Sequence, residues 1–398
     1  MKWASAFKYL SIRYDTRVAT ARDLTQRVSF DNNLDGERIR LRFSNRYGKT
    51  SLRLDRVTVG VVRGDGVANT TLVTLNGETG ITLQPEQEIF SDEIAFAVRA
   101  GERLAVSIFI GESQDIESVR CLWSRTNTVV SFGAGDHTDG LPFAETQPEN
   151  ILSSIRDSSR PRPMMFFYGF DALQVCTGDD VKVIAAFGDS ITHMSCLTNA
   201  LAKKLYAAYP GKVTLINSGI GGNRLLHDAT YVPALGRANP IFGVAGVKRF
   251  ETDVFELDTV NSVLTLIGIN DIMFPIQLEG LMETTQAVDL VDGYKTIVAM
   301  ANAHGAKIYG ATIMPCGHDS YPESWLSLFE KTRLPVNDWL RGDNDYDGVF
   351  DYDAALRDVT RPGYLRQEVH IGDGLHPNDL GGEIAAGTID LAKLTGLE

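Results

Sequence analysis

The stretch that most limits what this chain can become is Val181–Thr192, VKVIAAFGDSIT. An apolar run from Val181 to Phe187, interrupted only by Lys182, breaks abruptly into Gly188-Asp189-Ser190 and then enters a helix-like segment. A run of that kind, bounded by a turn signal, reads as a strand buried on both faces. Such strands belong to parallel sheets covered by helices, so the chain must supply more of both. A serine at the end of that strand is exposed, lies near a helix N-terminus and is reachable by a base from another segment. The same tripeptide also suits a plain strand–turn–helix joint capped by Asp189 or Ser190. The choice rests on what the rest of the chain provides.

Downstream, strands and helices alternate. Met194–Tyr209 carries a helical stripe of Leu197, Leu201 and Leu205 and stops at Pro210-Gly211. Val213–Asn217, Ser262–Ile267, Lys307–Ile313 and Val349–Tyr352 read as strands, and Thr284–His304 as a helix. Trp325–Leu340 is predicted helical in two pieces, after Pro322 and again after Pro335, and Asp379–Leu394 as one closing helix. Five strands alternating with helices imply a doubly wound parallel sheet, with functional residues at the C-terminal strand ends. Pro233–Phe250, rich in Gly and Pro, is predicted as a long loop over those ends.

The first part of the chain follows a different rule. Glu37–Phe43 alternates strictly, with Ile39, Leu41 and Phe43 on one face and Arg38, Arg40 and Arg42 on the other. Ser51–Val62 changes phase at Asp55-Arg56, which predicts a bulge or a short break. Ile94–Val98 and Leu104–Ile110 flank Arg99–Arg103 as a hairpin would, and Met164–Phe170 reads as one more apolar strand. The stretch 136–165, rich in Asp, Gly, Pro and Ser, reads as a long connection. These patterns predict an all-β sandwich, jelly-roll-like, over residues 1–175, and an α/β domain over 176–398.

Composition narrows the partners. The 398 residues carry a net charge of −13, which argues against nucleic acid or an anionic membrane as partner, since both need clustered positive charge. The opening MKWASAFKYLSIRYD has no signal-length apolar core, and no run approaches the ~20 apolar residues of a membrane span. A cytoplasmic protein is expected, or a secreted one had a signal been removed. Cys121, Cys176, Cys196 and Cys316 are widely spaced, with no Cys-x-x-Cys pair, and predict buried thiols rather than a metal site or a disulfide framework.

Four segments at predicted strand ends carry chemistry: Gly188-Asp189-Ser190, Ser218–Arg224 (SGIGGNR), Gly268-Ile269-Asn270-Asp271 and Asp373-Gly374-Leu375-His376-Pro377. Acyl transfer needs a nucleophile, a base and donors for a tetrahedral oxyanion. Ser190 is the candidate nucleophile, His376 the candidate base, and Asp373 the group that could fix the imidazole tautomer. Asn270-Asp271 and Asp373-x-x-His376 could instead serve as caps. Asp189 is expected to bond local backbone. A dinucleotide fingerprint starting at Gly219 would need glycine where Arg224 stands.

In order and spacing these segments resemble the blocks of the SGNH (GDSL-type) hydrolase family over about residues 181–395. The resemblance implies a flavodoxin-like α/β/α fold and an acyl-serine mechanism without metal or organic cofactor. It also implies an oxyanion hole from the Ser190 N–H, the Gly222 N–H (with Gly221 as alternative) and the Asn270 amide. His193, Arg224 and His227 are candidate substrate contacts, or residues that merely close the loops. Ile272-Met273-Phe274-Pro275 could line an acyl pocket or pack in the core. The family spans lipases, arylesterases, thioesterases and carbohydrate acetylesterases. The β-domain, as in some carbohydrate esterases, and the lack of an apolar lid favour an acetyl or other short-chain acyl ester of a carbohydrate, whether a small molecule or an oligosaccharide. Transfer of the acyl group to another alcohol is the alternative, as is a lipase or arylesterase acting on a non-sugar ester. The oligomeric state is left open.

Overall fold

The computed structural model describes residues 1–123, 126–156, 164–278 and 280–398. Residues 157–163 of the predicted long connection thus lie outside the described residues. By their contacts the residues group into two compact units, Met1–Val181 with Tyr206–Ile216, and Lys182–Leu205 with Asn217–Glu398.

The first unit is built from antiparallel strands. Gly36–Ser44 buries Ile39, Leu41 and Phe43 completely, as its alternation requires. Arg42, on the opposite face, is buried too, because both oxygens of Asp171 receive its guanidinium at 2.9 and 2.7 Å. Gly36–Ser44 pairs with Met165–Thr177, and the latter is flanked in turn by Lys2–Lys8 and Ser118–Leu122 within a seven-stranded sheet. A five-stranded sheet runs Thr128–Ala134, Leu24–Asp31, Arg103–Ile110, Arg56–Arg63, Gly66–Leu72. The sheets face each other through aromatic rings: Phe7 stacks on Phe30 at 4.3 Å, and Phe132 meets Phe166 at 5.7 Å.

Two sequence expectations change here, and one open alternative is decided. Ile94–Val98 and Arg103–Ile110 form no hairpin, because the first pairs with Gly36–Ser44 and the second with strands of the other sheet. Their short link crosses between sheets instead. The phase change at Asp55 is a break: Leu52–Leu54 pairs with Ile81–Leu83 alone, and Arg56–Arg63 enters the five-stranded sheet. The strand predicted over Met164–Phe170 continues to Thr177, buried throughout.

The chain from Lys182 onward builds a five-stranded parallel sheet of β1 (Lys182–Gly188), β2 (Val213–Gly219), β3 (Ser262–Leu266), β4 (Lys307–Ala311) and β5 (Gly348–Phe350). Its order is β2-β1-β3-β4-β5, which places the topological switch point between β1 and β3. Loops leave the C-terminal ends of those two strands in opposite directions, opening the crevice where ligands bind in such sheets. Gly188 sits at that end. A Cβ there would meet Thr192 Oγ1 at 2.2 Å and the Leu266 carbonyl at 2.3 Å, so only glycine lets β1 turn this tightly.

The helices are α1 (Ser190–His193), α2 (Cys196–Ala208), α3 (Gly246–Phe255), α4 (Ile269–Gln277), α5 (Ala287–Ala303), α6 (Glu323–Arg341), α7 (Tyr352–Leu356), α8 (Asp379–Gly387) and α9 (Leu391–Thr395). Part of the predicted Pro233–Phe250 loop is therefore helix α3. Helix α6 runs through Pro335 without interruption, because Phe329, Arg333, Val336 and Leu340 keep one buried stripe across it. The closing helix is two helices, with Asp390 capping the second through Lys393 N at 3.0 Å. The four cysteines are buried, none in a disulfide. Among the described residues no helix is long and apolar enough to cross a membrane.

Candidate active site

Ser190 opens α1, directly beyond β1. Asp189 is the N-cap, its Oδ1 accepting from Ile191 N at 3.0 Å. The capping and the nucleophile readings of Gly-Asp-Ser are therefore not rivals, since the cap is what presents the serine. Burial pushes the Asp189 carboxyl up to about 7, against the Ile191 N–H, which favours its charged form. Its Oδ2 is buried with no hydrogen-bond partner among the described residues, as a protonated carboxyl tolerates better than a carboxylate.

His376 reaches Ser190 from the loop before α8. Its Nε2 lies 2.8 Å from Ser190 Oγ, and its Nδ1 lies 2.6 Å from Asp373 Oδ2. A carboxylate only accepts, so Nδ1 carries the proton and Nε2 is left to accept from the serine hydroxyl. Asp373 Oδ1 takes the N–H groups of Leu375 and His376 at 3.0 and 2.9 Å. Burial alone would raise the Asp373 carboxyl, but the His376 bond and charge and these two N–H groups outweigh it and hold the acid down at about 2. Behind this loop His370 Nδ1 accepts from Gly372 N at 3.0 Å and Gly374 N at 3.1 Å. Nothing in the sequence pattern gave His370 a partner.

The segment after β2 is shaped by three neighbours. Gly221 N–H donates to the buried His193 Nδ1 at 3.0 Å, whereas among the described residues nothing accepts from Gly222 N–H. Gly222 has φ +70°, and a Cβ on it would meet the Phe242 ring at 2.2 Å, so glycine is required twice over. Asn223 is fully buried, and its Nδ2 donates to the carbonyls of Phe242 and Val244 at 2.7 and 2.8 Å.

Asn270 opens α4 beyond β3. It is 2% exposed, and its Nδ2 donates to the Asn223 carbonyl at 3.0 Å, which leaves that amide's second hydrogen to point elsewhere. Asp271, next to it, is fully buried and accepts from Leu225 N and Leu226 N at 2.7 and 2.9 Å. Burial pushes this carboxyl up to about 6, opposed by those two N–H groups. Rather than capping a turn of its own, Asp271 clamps the loop that follows β2. Ile272 and Met273 pack in the core, at 3% and 6% exposure.

The candidate substrate contacts separate. His193 holds Gly221. His227 faces Glu283 at 3.6 Å, with burial lowering its pKa. Arg224 is 5% exposed and donates through Nη2 to the Asp228 carbonyl at 2.8 Å, but its Nε and Nη1 are buried without a hydrogen-bond partner among the described residues. It lines a cavity of about 440 Å³ with Ala229, Tyr231, Leu281, Met282 and Glu283. Asn223 and Asp271 lay in segments singled out from sequence but had no role in the site there, and His370 and Arg249 were missed; for Arg249 the four-residue spacing to Asp253 was the available signal.

The sequence profile of the GDSL-like lipase/acylhydrolase family matches residues 186–384, half of the chain. The chain belongs to this family. The match takes in Ser190, Gly222, Asn270, Asp373 and His376. No curated protein matches the chain. Among solved structures, similar ones include LAE5, an alpha/beta hydrolase from the metagenome of Lake Arreo, at 18% identity and TM-score 0.38, covering 54% of this chain and 95% of that one. An acetyl xylan esterase from Geobacillus stearothermophilus stands at 19% and 0.39, covering 52% and 91%. The aryl esterase of M. smegmatis stands at 15% and 0.37, covering 52% and 95%.

Proposed function

We propose that this GDSL acylhydrolase cleaves short-chain acyl esters, acetyl esters of carbohydrate above all, through an acyl-Ser190 intermediate. The observation that carries the chemistry is the run of contacts from Asp373 to His376 to Ser190, at 2.6 and 2.8 Å. His376 Nε2 takes the Ser190 proton as Oγ bonds to the carbonyl carbon. Asp373 stabilises the imidazolium that forms. The oxyanion is received by the N–H groups of Ser190 and Gly222 and the free hydrogen of the Asn270 amide. Nε2–H then protonates the departing alkoxide. Water, deprotonated by the same nitrogen, attacks the acyl-enzyme and releases the acid and the free serine.

A short acyl group is supported by the run after Asn270, in which Ile272, Met273 and Pro275 are buried and Phe274 alone is part-exposed. Arg224 is the substrate contact we favour, because two guanidinium nitrogens without a partner among the described residues, beside a cavity, suit the oxygens of a sugar better than a hydrocarbon. The β-sandwich preceding the hydrolase unit is consistent with a carbohydrate substrate.

The test is acid release from acetylated oligosaccharides beside p-nitrophenyl esters of increasing chain length, with Ser190→Ala as control. Fast release of acetate that Ser190→Ala abolishes is the expected result. A preference for long acyl chains would overturn the substrate assignment. If an added alcohol collected most of the acyl group as a new ester, the enzyme would be an acyltransferase.

A further inference from the structure

The second unit contains a buried cation that the reaction above leaves unused. Arg249 lies on α3, 4% exposed, with its guanidinium 4.2 Å from the centre of the Phe187 ring. Nη2 donates to the Gly188 carbonyl at 2.8 Å and Nε to Asn223 Oδ1 at 2.9 Å. Nη1 donates to the Ser218 carbonyl at 3.0 Å and to Asp253, one turn along α3, at 2.8 Å.

These acceptors share a property. Gly188 precedes Ser190 by two residues, and its carbonyl also takes Ile220 N at 3.1 Å, joining the ends of β1 and β2. Asn223 follows Gly222, and its own carbonyl is the acceptor that holds the Asn270 amide at 3.0 Å. One rigid group therefore bonds, at the Gly188 carbonyl and the Asn223 side chain, to a residue next to or touching each of the three proposed oxyanion donors. An interior guanidinium is costly to desolvate, and apolar residues would stabilise the fold as well or better. What a planar fork provides is direction toward several acceptors at once, which an ammonium point charge does not.

We propose that Arg249 is a positioning residue: it acts through Gly188, Ser218 and Asn223 to keep the three oxyanion donors convergent. The proposal rests on the hydrolase reading given above. Donors of this kind work because they are aligned before charge develops, and a misplacement of about 1 Å costs on the order of 10²-fold in rate.

The experiment compares the parent with Arg249→Lys, which keeps the charge opposite Asp253 and loses the fork. Steady-state kinetics on p-nitrophenyl acetate are read together with the affinity of phenylboronic acid, which forms a tetrahedral adduct on the serine. The expected result is a kcat lower by about 10–100-fold, a KM changed by less than about threefold, and boronate affinity falling in step with kcat. A folded Arg249→Lys with kcat within twofold of the parent, or with its loss entirely in KM, overturns the proposal. Should Arg249→Lys melt below the assay temperature, Asn223→Ser removes the acceptor of Nε and tests the same link by the same split. If both variants melt, the network is a stability device and the positioning role falls. A parent without Ser190-dependent hydrolysis refutes the hydrolase reading and takes this inference with it, whereas an active parent with an equally active Arg249→Lys refutes the inference alone.

Discussion

Replacing Gly222 by alanine adds one methyl group to the protein, and its effect can be worked out from the site. At φ +70° a residue with a Cβ is strained by about 1–2 kcal/mol. The added carbon would also lie 2.2 and 2.5 Å from two atoms of the Phe242 ring, well inside contact distance. The ring cannot retreat without cost, because it packs beside the Phe274 ring at 5.9 Å and its backbone is held at the Phe242 carbonyl by Asn223 Nδ2 at 2.7 Å. The loop carrying residue 222 must therefore yield, and the proposed N–H donor moves with it. Losing one such donor costs about 2.7–4 kcal/mol of barrier, or ~10²–10³ in kcat. KM should hardly change, since the donor is aimed at the tetrahedral oxyanion rather than the ground-state ester. Steady-state kinetics on p-nitrophenyl acetate and a melting curve separate the two effects. The double variant Gly222→Ala/Phe242→Ala removes the clash but not the φ strain, so it should recover most of kcat and none of the lost stability. Hydrolysis by Gly222→Ala within twofold of the parent would refute the reasoning. A double variant no faster than the single would show that the ring contact is not what moves the donor.

Three further outcomes follow from the same geometry. Asp373→Asn frees the His376 tautomer and should lower kcat by about 10⁴-fold; because the Asp373 carboxyl is held at about 2, below its ordinary value, its stabilising effect is present above pH 4 and fades as pH falls toward 2, so the parent's melting temperature should drop over that window and the variant's much less. His370, whose pKa burial lowers, must be neutral to accept two N–H groups; its contribution is whole above its ordinary pKa and lost as pH falls through the depressed value, so His370→Asn, which keeps an acceptor that does not protonate, should flatten the melting profile on the acid side of pH 6.5. Asp171→Ala strands the buried Arg42, with the fully buried Arg120 3.9 Å from the lost carboxylate, and should cost about 3–5 kcal/mol in urea unfolding.

The parts of this architecture that were legible in the sequence are those written in local patterns. The run from Val181 to Phe187 is buried as a strand because nothing but a sheet interior suits it, and the chain reverses where Gly188 stands. Asp373 and His376 lie three residues apart, so their contact needed no knowledge of the fold. Partner choice is another matter. Alternation marks Ile94–Val98 and Arg103–Ile110 as strands but does not say which sheet each joins, and proximity in sequence suggested the wrong answer. Helix α3 hid among glycines and prolines because its face is recognisable only once β1 is there to receive Phe250, whose ring meets Phe187 edge-on at 5.0 Å. Arg224 and Arg249 look alike as letters. One ends beside a cavity with two nitrogens unpartnered among the described residues and the other at the centre of a network, and only tertiary contacts separate them.

The strand Met165–Thr177 has a bearing on how the protein is made. It pairs with Lys2–Lys8, Gly36–Ser44 and Ser118–Leu122, yet it leaves the ribosome after all of them. Until it emerges, those earlier strands offer unpaired edges rich in apolar residues, which is the state in which nascent chains aggregate. Completion of the sheet thus waits for the arrival of its last strand, and only Gly178–Val181 then separates it from β1, the strand that leads into Ser190. Nascent chains stopped short of residue 165 should depend on chaperones, and those extended past 177 should not.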